Sequence, residues 1–99
     1  MKTKITLRPL VYGNEYLRLG LSMDEFRKYV QNKDVKNLYI DLGQGYQDVV
    51  YKKTYINEGS LVNKALISNW LYQNGFTDNE CHLDFELEII GSKHYFKLI

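Results

Sequence analysis

The chain has 99 residues, 44% hydrophobic and 25% charged, a mixture that excludes global disorder, and a length that excludes two independent cores. A formal net charge of +1 excludes the strongly acidic proteins that imitate DNA, and a lone cysteine excludes an internal disulfide. Met1 to Pro9 lacks the apolar run of a signal peptide, and no window approaches the roughly 18 apolar residues of a membrane span. The expectation is a single cytoplasmic domain over residues 1–99.

Charge is unevenly spread. Residues 1–36 carry eight Lys or Arg against four Asp or Glu, whereas residues 58–99 carry three against six. Such a gradient would orient a partner or favour head-to-tail self-association, unless folding mixes the two ends on one surface. Ten Lys against three Arg, with abundant Asn, Ile and Tyr, implies AT-rich codons. That points to a low-GC genome, such as a Gram-positive bacterium or its phages.

Residues 3–20 read as a hairpin. Ile5 and Leu7 alternate with Thr6 and Arg8, and Gly13-Asn14 suits a tight turn between Tyr12 and Glu15. Pro9 cannot donate to a ladder, so the strand is an edge or is broken there. A first helix follows, with Ser22 as N-cap and Glu25 completing a capping box. Leu21 and Phe26 form its hydrophobic staple, and Met23, Phe26, Tyr29 and Val30 its buried stripe.

Asn37 to Leu42 is a strand with Leu38, Ile40 and Leu42 on one side and Tyr39 and Asp41 on the other. Gly43-Gln44-Gly45 turns the chain into a strand from Tyr46 to Ile56. Its alternation fails at Val49-Val50-Tyr51 and Lys52-Lys53, as a bulge or a sheet covered on both faces would require. A second helix is expected from Ser60, as N-cap, to Asn74-Gly75-Phe76. Its end has the form of a Schellman motif, with Gly75 left-handed at C′ and Phe76 packing on Leu71.

Cys81 to Ile99 is the best-determined stretch. Leu83, Phe85, Leu87 and Ile89 alternate with polar residues, and Gly91-Ser92 suits a type II′ turn. That turn sets Leu87 opposite Phe96, Phe85 opposite Leu98, Glu86 opposite Lys97 and Glu88 opposite Tyr95. The element order is therefore ββαββαββ. The expected class is α+β, a mostly antiparallel sheet with two helices on one face.

Chemistry-bearing residues are few. Cys81 and His82 point to opposite sides of a strand, and His94 lies far along the hairpin, so no cysteine dyad assembles. His82 and His94 also fall on opposite faces, against a shared metal site. Asp84, Glu86 and Glu88 share a face at about 6.5–7 Å steps, a spacing a solvated face with Lys97 explains better than acid–base work. Gly43-Gln44-Gly45 starts like a phosphate loop but leads into a strand, not a helix. Neither a cofactor nor a metal is expected, and no catalysis.

What remains is a surface. Nine tyrosines are many for 99 residues, and Tyr supplies rigid contact area with a polar tip. Tyr46, Tyr51, Lys52, Lys53 and Tyr55 on one strand form the expected partner-binding residues, with an exposed edge of the first hairpin as an alternative contact. The sequence therefore predicts a small non-catalytic protein that binds another protein, of the accessory or inhibitor type found in phages and mobile elements. The alternative is a module that stacks single-stranded nucleic acid on tyrosines beside lysines.

Overall fold

Alternation with period two runs through most of the chain, and the computed structural model folds it accordingly into strands. It describes residues 2–12, 16–22, 24, 28, 37–55, 58–78 and 80–99; the side chains of Tyr12, Ser22, Lys53, Thr54, Tyr55 and Glu58 lie outside the description. The strands are β1 (Lys2–Tyr12), β2 (Tyr16–Ser22), β3 (Asn37–Asp41), β4 (Tyr46–Tyr55), β5 (Glu58–Val62), β6 (Leu83–Ile90) and β7 (Lys93–Leu98). Between β5 and β6 lies α1, a π-type stretch Lys64–Ser68 that continues as an α-helix over Asn69–Gln73. The strands close into a barrel in the order β1-β2-β5-β4-β3-β7-β6.

The expected α+β class, with two helices on one face of an open sheet, is thus corrected to a closed β-barrel. Among the described residues α1 is the helical element of any length, and the proposed first helix, with Met23, Phe26, Tyr29 and Val30, falls outside them. The second correction has a visible cause. Ser60 is not a helix cap but the middle of β5, opposite Gly20 on β2 and Lys52 on β4. Its hydroxyl donates to the Lys52 carbonyl at 3.4 Å. The helix starts later, where Asn63 Oδ1 accepts from the Leu66 amide at 3.2 Å and Asn63 Nδ2 donates to the Asp48 carbonyl at 2.9 Å.

Two long strands make the corners. Lys2 to Leu7 of β1 pair with β6, and Arg8 to Tyr12 with β2. Likewise β4 pairs with β3 up to Val49 and with β5 from Val50 onward, with a register irregularity between Lys53 and Tyr55. That irregularity lies beyond Val49–Lys52, where Val49 and Tyr51 face inward and Val50 and Lys52 outward in regular alternation, so it is not the bulge expected there. Pro9 sits on β1 beyond its last partner on β6, opposite Leu19. A residue without an amide hydrogen is tolerated there because only one neighbouring strand remains. Closure gives the first hairpin neighbours on both sides, β6 and β5, so the free edge once open to a partner is taken.

The last hairpin has the expected register throughout, including Phe85–Leu98, Glu86–Lys97, Leu87–Phe96 and Glu88–Tyr95. Gly91 carries φ of 61° while Ser92 stays on the negative side, the requirement of a type II′ turn. In the first hairpin Tyr12 pairs with Tyr16 rather than Glu15, one residue away from the two-residue turn expected at Gly13-Asn14.

The barrel is filled by side chains, as a wall of this strand number permits. Phe85 and Phe96 are its largest fully buried members, packed among Ile5, Leu19, Ile40 and Leu61. From α1, Ile67 and Leu71 join the core. The Ser68 hydroxyl accepts from the Leu17 amide at 2.9 Å in a buried position, tying α1 to β2. The helix ends as expected: the Phe76 amide donates to the Leu71 carbonyl at 2.9 Å and Gly75 has φ of 78°. Trp70 is only half-buried, stacked on Phe76 with centroids 5.7 Å apart.

Candidate functional site

Since Leu38 and Ile40, His94 and Phe96, and Phe85 and Leu87 point inward, the residues between them must point out. Register aligns these outward residues in two rows across five strands. One row runs Asp48, Tyr39, Tyr95, Glu88, Lys2; the next runs Tyr46, Asp41, Lys97, Glu86, Lys4.

Tyr39 and Tyr95 meet across the parallel β3–β7 pair, their rings stacked with centroids 5.1 Å apart and planes 16° from parallel. Tyr46 starts on the far strand β4, reaches over β3 and meets Tyr95 edge-on at 5.2 Å and 72°. Tyr95 is therefore the hub of a three-ring cluster spanning three strands. Tyr46 remains 44% exposed. Its hydroxyl is held above the ordinary phenol range, first by burial and then by the charges of Asp41, Glu88 and Glu86.

Carboxylates frame the cluster. Asp41 Oδ1 accepts from the amides of Gly43 at 2.7 Å and Gly45 at 3.1 Å. Those two amides are the ones a phosphate would have needed, so Gly43-Gln44-Gly45 is a hairpin turn. Along β6 the three acids form a ladder with β1. Lys2 reaches Glu86 at 3.9 Å and Glu88 at 3.8 Å, while Lys4 leans to Asp84 at 3.3 Å. Asp84 also accepts from the Thr6 hydroxyl at 2.8 Å. That bond first, and the hydrogen bond with Lys4 next, hold its carboxyl below the ordinary value. The acids form a solvated face, as expected, but their ion-pair partners are Lys2 and Lys4 of β1 rather than Lys97.

Of the five expected contact residues, the three whose side chains are described, Tyr46, Tyr51 and Lys52, do not all share one face. Tyr46 belongs to the outer cluster. Tyr51 turns the other way: it packs against the core and its ring lies over Gly59 of β5, where any side chain would overlap it. Burial pushes its hydroxyl up. Lys52 is exposed, and the side chains of Lys53 and Tyr55 lie outside the description. Tyr51 therefore does not stack outward beside Lys52.

Sequence reasoning missed Tyr39, Tyr95 and Asp41. Only the Glu88–Tyr95 step carried a signal; the rest depends on β3 lying beside β7, a contact between distant segments. Of the other candidates, Cys81 is half-buried with its thiol donating to Asp78 Oδ1 at 3.7 Å, His82 is exposed, and His94 is buried opposite Ile89. These three do not converge. Among the described residues no group of three His, Cys, Asp or Glu is placed to hold a metal ion, and no helix is long and apolar enough to cross a membrane. No protein-family model matches the chain, and neither a curated protein nor a solved structure does.

Proposed function

We propose that this is a non-catalytic protein-binding domain that meets its partner through the outer face of β4, β3 and β7, centred on Tyr46 and Tyr95. The observation that carries the reading is the three-ring cluster itself. Tyrosines clustered outside a barrel whose interior is already filled leave aromatic contact area facing solvent, Tyr46 most of all. Rings braced against one another lose little freedom on contact, which favours binding at low entropic cost.

Nucleic acid is the weaker reading. Of its two stacking rings Tyr51 packs against the core and Tyr55 lies outside the description, while the outer rings stand among Asp41, Glu86 and Glu88, which repel phosphates. With a single half-buried cysteine, we place the protein in a reducing compartment, as an accessory or inhibitor protein of a phage or mobile element.

Affinity capture tests this. The full chain is immobilised and exposed to lysate of a low-GC Gram-positive bacterium, with and without nuclease, and retained proteins are identified by mass spectrometry. The expected result is a partner that survives nuclease and is lost with the folded Tyr46→Ala/Tyr95→Ala variant. A partner released by nuclease, or held equally by that variant, contradicts the proposal.

A further inference from the structure

We infer that the group seated on the tyrosine face is an arginine side chain of the partner, an inference that rests on the protein-binding reading above. Asp41 of β3 and Glu86 and Glu88 of β6 flank Tyr95 and Lys97 of β7 in the two outward rows. Lys97 stands between Asp41 and Glu86, yet among the described residues it forms no ion pair with either. Two more cations neighbour these acids: Lys4, opposite Glu86, turns to Asp84 at 3.3 Å instead, and Lys2 reaches Glu86 and Glu88 only at 3.9 and 3.8 Å, near the limit of an ion pair. Asp41 is held by the Gly43 and Gly45 amides, but Glu86 and Glu88 are thus weakly compensated.

Burial first, and then Asp41, Glu88 and Glu86, disfavour negative charge at the neighbouring Tyr46 hydroxyl. A negative partner surface would meet repulsion at this face, and an apolar one would strand the acids without water. A cation is favoured twice, by the ring faces and by the carboxylates.

Between the two basic side chains the geometry points to arginine. A planar guanidinium can lie on an aromatic ring while its edge donates to a carboxylate in bidentate fashion. A lysine ammonium does one or the other, and holds its water more tightly. Glu88, opposite Tyr95 in the register, and Glu86, one step along, are the acceptors placed for that edge.

The test is an NMR titration of the full chain with a capped peptide of alternating glycine and arginine. Matched peptides carry citrulline, lysine or glutamate in place of arginine. The expected result is saturable shifts at Tyr39, Tyr46 and Tyr95 with the arginine peptide, and binding about tenfold weaker with citrulline, the loss of one charged contact of ordinary strength. Glu86→Gln/Glu88→Gln should lose a similar factor while keeping the spectrum of a folded barrel. Equal binding of the citrulline or glutamate peptide, shifts confined to other strands, or no shift at millimolar peptide overturns the inference. If capture still depends on Tyr46 and Tyr95 while the arginine peptide fails, the arginine assignment is wrong and the binding face stands. If capture is also indifferent to those tyrosines, the face itself is wrong.

Discussion

Tyr39 stacks on Tyr95 across the parallel β3–β7 pair, two residues 56 positions apart in the chain joined ring to ring at 5.1 Å. The contact lies at the seam where the β3–β4 hairpin meets the last hairpin. It links closure of the barrel to assembly of the proposed binding face.

A double-mutant cycle measures that link. Tyr39→Ala and Tyr95→Ala should show a coupling of roughly 0.5–1.5 kcal/mol in urea unfolding, the usual worth of an aromatic pair beyond its buried area. Additive single-variant effects would mean the rings only sit side by side.

Gly59 makes room for Tyr51. A methyl group there would overlap the Tyr51 ring and hydroxyl, so Gly59→Ala should destabilise by about 1–3 kcal/mol through overpacking. Tyr51→Ala in the same chain should relieve part of that cost, so the double variant is more stable than the sum predicts. The readout is again urea unfolding, with additivity as the contrary outcome.

Ser68→Ala removes the acceptor of the buried Leu17 amide. An amide left without its partner in the interior costs about 1–3 kcal/mol. Thermal unfolding should register the loss, while Asn69→Ala, on an exposed position of the same helix, should change little.

Acid should act through Asp84. Its carboxyl is held below the ordinary 3.8 by the Thr6 hydroxyl and by Lys4. A carboxylate with a depressed folded-state pKa contributes stability above the unfolded value, and that contribution is lost as pH falls through the folded one. In Thr6→Val the Asp84 titration, followed by carboxyl carbon NMR, should move up toward the ordinary value. An unchanged midpoint would place the cause elsewhere.

Legibility followed the range of the contacts. The Gly91 hairpin was readable because turn chemistry and alternation agree within seventeen residues, Leu83 to Ile99. Asn74-Gly75-Phe76 was readable for the same local reason. β5 was not: Leu61 and Val62 continue directly into Ala65, Leu66 and Ile67, and a helical stripe absorbs a strand of five residues. What makes Gly59 to Leu61 a strand is Tyr51 of the preceding strand above it and, beside it, Gly20, which is distant in sequence. The class followed from that error, since moving β5 out of the helix lets β2 and β4 join and the sheet close. The site was half legible. Tyr46 and the acids of β6 were in view, but Tyr51 was assigned outward because Val49-Val50-Tyr51 leaves the face undecided. Val49 proves buried and Val50 is 55% exposed, so Tyr51 returns to the inside.

The most direct test compares Tyr46→Ala and Tyr51→Ala in one capture experiment, run below both melting transitions. Tyr46→Ala should melt nearly as the native chain and lose the partner, whereas Tyr51→Ala should melt markedly lower and keep it. Partner loss with Tyr51→Ala and full retention with Tyr46→Ala would contradict the proposed binding face.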